Sequence, residues 1–340
     1  MVLAEEFIFE PVLTPNLPAR KLTVRRSGAD ALITWSGAGI LQSAANLTGG
    51  WSNASMRSPF RVKAESSRFY RLISASRPVS VYIPATYKVE VPMAFIISLH
   101  GFTLDAAFQE NLISLRPLAE SVGFLYVLPE GSRDSSGNRF WNATDACCAQ
   151  AGSKIDDVAY LKAIIEGVSA SFNVDRKRVY VVGHSNGGFM AYRMACDQAD
   201  LIAGIASLAG ATWSDSGRCK PSSLVNVLQI HGSADSVISY NGGNIGSAKY
   251  PGAVATIEQW GTYDGCQSTQ ADPTKTLDLD LDVAGLDSRV TRTSDCSAGA
   301  VVELWTIQGG SHAPLAKRGN SQSELPVKLV EWFLAHPKPE

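Results

Sequence analysis

Several features that mark other classes of protein are missing from this sequence. No apolar stretch approaches the length of a membrane-spanning helix, so we expect no membrane partner. No basic run is present and the formal net charge is −2, which argues against a nucleic-acid partner. No internal repeat or low-complexity tract is found. What is left is an ordinary globular composition, in which 340 residues form either one large domain or two unequal ones.

The cysteines lack the paired C-x-x-C spacing of a zinc site, and the five histidines do not cluster with them, so we predict no metal. An even set spread over loops favours disulfides and a secreted protein, extracellular or periplasmic; the alternative is a set of buried free thiols. Residues 1–6 lack the basic, apolar and small-residue sections of a signal peptide, so we expect any export signal to have been removed. The six cysteines are Cys147, Cys148, Cys196, Cys219, Cys266 and Cys296.

The first 76 residues differ in texture from the rest. Three prolines interrupt residues 1–18, which predicts an extended arm or linker. Residues 19–76 hold short alternating or β-branched runs separated by Gly- and Ser-rich turns, which predicts a small all-β module with Trp35 and Trp51 as core aromatics. The module resembles the fibronectin-like β-sandwich appendages of many secreted bacterial hydrolases. It is interpreted either as a spacer or as a contact for polysaccharide or polymer.

From residue 77 to residue 340, buried strands alternate with helices. Strands are predicted at residues 79–84, 94–100, 124–128, 179–182, 205–209, 225–230 and 301–307, and helices at 111–122, 156–172, 253–263 and 324–335. Such alternation predicts an α/β domain, with a mostly parallel sheet covered by helices on both faces. In such a sheet the functional groups gather in loops at the carboxyl ends of the strands.

The stretch 178–196 organises the rest of the chain. A β-branched run ends at Gly183-His184-Ser185-Asn186-Gly187, and apolar residues then recur at helical spacing. The G-x-S-x-G pattern between a strand and a helix is typical of a nucleophile elbow, in which the serine takes a strained backbone conformation. The alternative is a plain strand–turn–helix. The glycines leave room for the strain, and the positive end of the helix dipole favours an anion beside Ser185.

A serine hydroxyl needs a base, and the base needs an anion behind it. His312 is the best candidate base because it lies on a Gly-rich loop after a late strand. Asp235 follows an earlier strand and is the candidate acid, which gives the α/β-hydrolase order of serine, acid and histidine. The backbone N–H groups of Phe102 and Asn186 are the expected oxyanion donors, with the ring of Phe102 over the acyl pocket.

Other candidates for these roles fit less well. His184 and His231 are interpreted as packing or structural residues, and His336 as an exposed tail residue. His100 lies where the oxyanion loop belongs. Asp264 and Asp295 remain alternative acids, although neither directly follows a clear strand.

Six motifs follow one another between residues 78 and 336: Leu99-His-Gly, Trp141-Asn-Ala-Thr-Asp-Ala-Cys-Cys148, Asp156-Asp-Val-Ala-Tyr, the stretch from Arg178 through the elbow glycines, His231-Gly-Ser-Ala-Asp and Gly309-Gly-Ser-His312. In this order they resemble the polyhydroxybutyrate-depolymerase and feruloyl-esterase-like family of secreted α/β-hydrolases. The resemblance implies the same triad, no cofactor, and a carboxylic-ester substrate: feruloyl or acetyl esters on plant polysaccharide, or hydroxyalkanoate oligomers. Aromatic polyesters are a weaker implication.

The resemblance also bears on the surroundings of the site. It implies that the loop of Trp141 borders the cleft, with the indole stacked on substrate; the alternative is a tryptophan packed on its own domain. The loop of His312 lacks the tryptophan that the family often carries there, so one wall of the usual pocket is expected to be missing. Together with their spacing, the family pattern suggests that Cys196 pairs with Cys219 and Cys266 with Cys296. Cys147 and Cys148 then form a vicinal disulfide or remain free thiols.

The residues 277–282 alternate leucine and aspartate, which predicts an exposed strand rather than a calcium site.

The leading functional prediction is a secreted serine esterase that works through an acyl-enzyme. A peptidase or acyltransferase on the same fold is the enzymatic alternative. A catalytically silent binding protein, in which the β module does the work, is a different class and is disfavoured because all three triad residue types are present.

Overall fold

The computed structural model describes residues 77, 79–149, 153 and 155–339, together with the strands that lie within residues 6–73. Trp51 and residues 10–21 fall outside the described residues, and so does the side chain of Trp35. The predictions made for them are therefore not addressed by the structure.

The strands follow one another along the whole chain. In the first 76 residues they are β1 (Glu6–Phe9), β2 (Leu22–Ser27), β3 (Asp30–Trp35), β4 (Ile40–Ala44), β5 (Ser52–Ser55), β6 (Phe60–Lys63) and β7 (Phe69–Ile73). After them come β8 (Val79–Tyr82), β9 (Met93–Leu99), β10 (Phe124–Val127), β11 (Ser132–Arg133), β12 (Arg139–Phe140), β13 (Val174–His184), β14 (Gly204–Leu208), β15 (Asn226–Gly232), β16 (Gly242–Ile245), β17 (Ala248–Pro251), β18 (Ser268–Leu277), β19 (Ser288–Ser294), β20 (Val302–Ile307), β21 (Lys317–Arg318) and β22 (Ser321–Gln322).

The helices lie between the later strands. They are α1 (Ala106–Ile113), α2 (Arg116–Leu118, continued as a π-helix over Ala119–Gly123), α3 (Asp157–Ser171), α4 (Asn186–Asp197), α5 (Ala253–Tyr263) and α6 (Leu325–Ala335). The side chain of Asp156 caps α3 by accepting a hydrogen bond from the amide of Ala159.

A ten-stranded sheet forms the centre of the molecule, in the order β1-β8-β10-β9-β13-β14-β15-β20-β19-β18. The six middle strands, from β10 to β20, are parallel, and two antiparallel strands extend the sheet on each side. Because the parallel strands share one direction, their carboxyl ends meet at one edge, where the loops after β9, β13, β15 and β20 lie close together.

Apolar residues fill both faces of this sheet. Along β13, Val179 and Val181 point to the side covered by α3, α4 and α5, whereas Tyr180 and Val182 point to the side covered by α1 and α6. Each strand in the middle of the sheet is therefore buried on both faces, which explains its continuous apolar sequence. The predicted parallel sheet with helices on both faces is confirmed.

Two elements differ from the sequence prediction. The helix predicted over residues 111–122 is broken at Ser114, whose φ of 55° ends α1, because Pro117 cannot continue an α-helix that passes through Ile113. The exposed strand predicted over residues 277–282 is also wrong. β18 ends at Leu277, and Leu279 and Asp280 are buried.

The N-terminal strands form two antiparallel three-stranded sheets, β2-β3-β6 and β5-β4-β7. The arm predicted over residues 1–18 contributes β1, which pairs antiparallel with β8, Phe7 opposite Val81, at the edge of the central sheet.

Candidate active site

Ser185 lies between β13 and α4 at the carboxyl edge of the sheet. Its φ of 53° and ψ of −119° are rare for a residue with a side chain. The glycines around it permit this turn. A Cβ atom on Gly183 would collide with the carbonyl of Gly187, and one on Gly187 would collide with the carbonyl of Leu99. The strain therefore serves to present the serine at the edge of the sheet, as the elbow pattern predicts.

Asp235 and His312 meet at the same edge. They follow β15 and β20, which are neighbours in the sheet, and His312 donates from Nδ1 to Oδ2 of Asp235 over 2.8 Å. The Asp235 side chain is fully buried, whereas 18% of the His312 side chain is exposed. With Nδ1 engaged by the carboxylate, Nε2 of His312 is left as the acceptor for a substrate-side proton.

Asp235 keeps its negative charge inside the protein because donors surround it. Oδ1 accepts hydrogen bonds from the backbone amides of Val237 and Ile238, and Nε2 of His231 lies 3.3 Å from Oδ2. Burial alone would raise the pKa of Asp235, but the hydrogen bonds from His231 and His312 and the charge of His312 hold it well below its ordinary value. The acid is therefore ionised wherever His312 can act as a base.

His184 connects the nucleophile to the base. Its Nε2 donates to the backbone carbonyl of His312 over 3.0 Å, and the two imidazole rings lie 4.8 Å apart. Burial, with repulsion from His312 as the second cause, lowers the pKa of His184 to about 3, so it acts as a neutral donor. Within the described part of the chain no hydrogen bond joins the Ser185 hydroxyl to His312, and that contact stays a prediction.

The loop after β9 approaches the serine closely. A Cβ atom on Gly101 would lie 3.3 Å from Cβ of Ser185. Thr103 has a φ of 67° and donates from its amide to the Arg139 carbonyl over 2.8 Å. The preceding amide, that of Phe102, makes no backbone hydrogen bond to the described residues. Asn186 is the first residue of α4, where amides have no intrahelical acceptor. Asn186 directly follows Ser185 and Phe102 lies on the loop that approaches it, so their amides stay the predicted oxyanion donors.

The side chain of Asn186 is fixed by Trp141. Its Oδ1 accepts from the Trp141 amide over 2.7 Å, and its Nδ2 donates to the Trp141 carbonyl over 3.0 Å. The indole itself donates to the carbonyl of His100 over 3.0 Å. This arrangement corrects the prediction that Trp141 stacks on substrate, because the residue is fully buried and packs on the rings of His100 and Tyr160.

Phe102 lies on the loop that approaches Ser185, and this residue is 37% exposed. A position over the acyl pocket stays a prediction for its ring. Trp141 is fully buried, so of the two predicted substrate contacts only that of Phe102 stays open as a prediction.

The remaining candidates lie in structural roles. His100 is buried, donates from Nδ1 to Gly101 and accepts at Nε2 from Gly131, and burial lowers its pKa to about 4. Asp264 ends α5 and accepts from the amide of Val225 before β15, at the opposite edge of the sheet from Ser185, which removes it as the acid.

Two further residues also lie outside the triad. Asp295 lies in an exposed turn between β19 and β20. His336 is half-buried against Trp332 rather than exposed as predicted, since its Nδ1 donates to the Trp332 carbonyl.

Three disulfides join the six cysteines. Cys196–Cys219 and Cys266–Cys296 are the two predicted pairs, and Cys147–Cys148 is the vicinal disulfide, the first of the two alternatives left open for these residues. In the segment between Cys266 and Cys296, the buried Asp280 accepts a hydrogen bond from the amide of Leu315. This bond connects the segment to the chain just after His312.

In the part of the chain that the structure describes, no group of three or more His, Cys, Asp or Glu side chains is arranged to hold a metal ion. Among those residues, no helix combines the length and apolar character that crossing a membrane requires.

Sequence reasoning missed the supporting roles of His184, His231 and the side chain of Asn186. A signal for His231 was present, because Gln229 and His231 are polar residues that alternate with the apolar Leu228 and Ile230 in a fully buried strand. No comparable signal marks the clamp between Asn186 and Trp141, since its partners are backbone atoms 45 positions away.

Comparison with known proteins agrees with this geometry. A family model described as Esterase PHB depolymerase matches residues 78–295. Feruloyl esterase B of Piromyces equi is 28% identical over 245 residues, which are 70% of this chain and 42% of the relative. Poly(3-hydroxyalkanoate) depolymerase C of Paucimonas lemoignei is 23% identical over 273 residues, which are 72% of this chain and 60% of the relative. The chain thus spans less than two thirds of the length of either relative.

The fold has solved counterparts. An acetyl xylan esterase from Aspergillus awamori superposes with a TM-score of 0.52 at 16% identity, over 76% of this chain and 93% of that chain. With the parallel sheet and its flanking helices, this likeness confirms the predicted α/β-hydrolase fold.

Proposed function

Because this chain belongs to the Esterase PHB depolymerase family, we propose that it is a serine hydrolase of carboxylic esters, with Ser185, His312 and Asp235 as its triad. The observation that carries the proposal is the 2.8 Å hydrogen bond between His312 and the buried Asp235, formed at the sheet edge that presents Ser185 in a strained turn. A buried carboxylate behind an imidazole, beside an elbow serine, is the arrangement that activates a hydroxyl.

The reaction takes place in two halves. Nε2 of His312 removes the Ser185 proton as the oxygen attacks the ester carbonyl, and it returns that proton to the departing alkoxide. The resulting acyl-enzyme is hydrolysed by a water that the same nitrogen deprotonates, and the proton passes to the Ser185 oxygen as its bond to the acyl carbon breaks and the acid departs. Asp235 stays ionised and stabilises the imidazolium in both halves.

The tetrahedral intermediates place a negative charge near the start of α4. The amides of Phe102 and Asn186 are the two donors that meet this charge, and the dipole of α4 adds to their effect. The clamp from Trp141 holds Asn186 at the first helical position, so the donor is in place before the substrate arrives.

The substrate class follows from the family and the relatives. We propose that the substrates are feruloyl or acetyl esters on plant polysaccharide, or hydroxyalkanoate oligomers. One relative is named a feruloyl esterase and another a poly(3-hydroxyalkanoate) depolymerase, which supports this choice. An aromatic polyester is the alternative substrate. The loop of His312 carries no tryptophan and Phe102 is exposed, which supports an open acyl site able to accept the end of a polymer.

The three disulfides support a secreted enzyme, because such bonds persist in oxidising compartments.

Contact with polysaccharide or polymer is proposed for the β module of residues 19–76. Its removal by joining residue 18 to residue 77 keeps β1 in the sheet, so turnover of a soluble ester is expected to persist while hydrolysis of solid polymer falls. Equal turnover of solid polymer with and without the module would reject that contact.

The test of the catalytic proposal is Ser185→Ala. Hydrolysis of short p-nitrophenyl esters is expected to fall by roughly 10⁴-fold or more, and labelling by a fluorophosphonate is expected to disappear. Ser222→Ala, at an exposed bend before β15, is the control and should keep both. Undiminished hydrolysis by the Ser185 variant would remove this serine as the nucleophile. Labelling lost without loss of hydrolysis would mean that a second site performs the reaction.

A further inference from the structure

A chain of buried polar groups runs from the interior of the protein to Asp235. The Tyr192 hydroxyl donates to Oε1 of Gln229 over 2.8 Å, and Nε2 of Gln229 donates to the Gly210 carbonyl over 2.8 Å and faces Nδ1 of His231 at 3.0 Å. Tyr192, Gln229 and His231 are all buried. None of them touches the substrate side of the triad, and the mechanism above does not use them.

These contacts determine where the protons of His231 lie. The carbonyl of Gly210 can only accept, so the nitrogen of the Gln229 amide must face it. The second N–H of that amide then points at Nδ1 of His231, which must accept and is therefore unprotonated. In the neutral ring the proton is consequently on Nε2.

The Nε2–H of His231 is directed at the loop of the catalytic acid. It donates to the carbonyl of Ile238 over 2.8 Å and lies 3.3 Å from Oδ2 of Asp235, a shared hydrogen bond. The same oxygen accepts from His312, while the other carboxylate oxygen is held by the amides of Val237 and Ile238. His231 thus contacts both the carboxylate and the backbone that carries its other donors.

We propose that His231 is a positioning residue for the acid–base pair. Its tautomer is fixed by Gln229, and its Nε2–H holds the Asp235 carboxylate in the orientation that His312 requires. The inference rests on the proposed function, because it assigns His231 a role in the same triad. It also accounts for a histidine and a glutamine placed in the middle of an apolar strand, where unpaired polar groups would be costly.

The effect on pH dependence has a definite sign. The titratable groups that face Asp235 and His312 among the described residues are His231 and His184, with the ring of Tyr240 packed edge-on against His231. Loss of the His231 donor leaves the Asp235 carboxylate more basic, so it favours protonation of the neighbouring imidazole. The acid limb of kcat/KM then moves to higher pH. A purely structural role for His231 would lower stability without moving that limb.

The experiment compares three variants of the full chain on a p-nitrophenyl ester. His231→Leu is expected to lower kcat about 10- to 50-fold at nearly unchanged KM and to move the acid limb up by roughly 0.5 pH units. His231→Gln offers an amide N–H near the position of Nε2, so it should recover most of kcat and return the limb. Tyr192→Phe removes a hydrogen bond at the far end of the chain and should lower Tm without moving the limb.

Two results would overturn the inference. One is a His231→Leu variant with unchanged kcat and acid limb. The other is equal loss in the Leu and Gln variants with both limbs in place. Fluorophosphonate labelling of each variant separates this failure from failure of the proposed function, since an unlabelled and inactive parent chain would reject the triad itself. Thermal unfolding identifies a variant that is not folded, and His231→Gln then carries the test.

Discussion

The two halves of the active site are built by different means. The nucleophile half, around Ser185 and the loop after β9, depends on backbone conformation: a positive φ, and glycines packed against carbonyl groups. The acid–base half depends on hydrogen bonds between side chains of β15 and the loops that follow β15 and β20. Gln229 donates to His231, and His231 and His312 donate to Asp235. Backbone constraints leave a clear local pattern in the sequence, whereas networks between side chains leave a weaker one, such as the two polar residues Gln229 and His231 in a buried strand.

Among substitutions that leave Ser185 in place, the largest expected effect lies in the acid–base half. Asp235→Asn should reduce kcat about 10⁴-fold on a soluble ester, because an amide in this position cannot stabilise the imidazolium and favours the wrong tautomer of His312. Steady-state kinetics measures the loss. Asp264→Asn is the matched control, a buried carboxyl at the opposite edge of the sheet, and should change kcat less than twofold. Similar losses in both variants would contradict the assignment of the acid.

The nucleophile half is tested by Asn186→Ala. The backbone N–H remains, but the two hydrogen bonds to Trp141 are lost, so the oxyanion donor is less well fixed. We expect kcat to fall about 10- to 100-fold with KM little changed, since a donor to the intermediate acts on the transition state. If KM rises while kcat stays constant, the clamp serves substrate binding instead.

A smaller effect is expected for Trp141→Phe, which removes the indole N–H that bonds the His100 carbonyl. Because the ring is fully buried, KM for both feruloyl and acetyl esters should stay within about twofold, while the free energy of unfolding should fall by on the order of 2 kcal/mol. Urea denaturation and a substrate panel measure the two quantities. A large rise in KM for the feruloyl ester alone would restore the stacking role.

No effect on kcat, but one on stability, is expected at Asp264. Burial raises its pKa to about 7 against the opposing effects of the Val225 amide and Lys338. The folded state therefore holds a proton that the unfolded state releases above about pH 4, so stability decreases as the pH rises from about 4 to about 7. Asp264→Asn should remove this decrease and gain up to roughly 4 kcal/mol at pH 7.5.

Urea unfolding of both proteins at pH 4.5 and pH 7.5 tests this linkage. The two should differ little at the lower pH and most at the higher. An equal difference at both values would mean that the Asp264 carboxyl does not titrate between them.

Much of this molecule could be predicted from its sequence. The parallel strands are continuous apolar runs because both of their faces are buried, and the elbow is marked by glycines whose absent side chains the turn requires. Ser185, Asp235 and His312 could be selected as a candidate triad because each of them follows a predicted strand. Trp141 could not be placed, since its burial depends on contacts with His100 and Tyr160 from other elements.

Segments of polar composition were harder to predict. The alternation at residues 277–282 suggests a strand. Instead, the backbone amides of Leu279 and Asp280 donate to the buried carboxylate of Asp287, which lies outside the alternating stretch. The break at Ser114 depends on a proline three positions later, which periodicity alone does not register.

The pairing of β1 with β8 changes how the β module is connected to the enzyme. These strands are adjacent in the central sheet, so residues 10–78 leave and re-enter the catalytic domain at neighbouring positions. In topological terms the module is an insertion tethered at both ends, not an appendage on a single linker. Two covalent connections, one before the module and one after it, therefore join it to strands of the same sheet. The insertion point is accordingly a place where another domain could be exchanged for the module without interrupting the sheet.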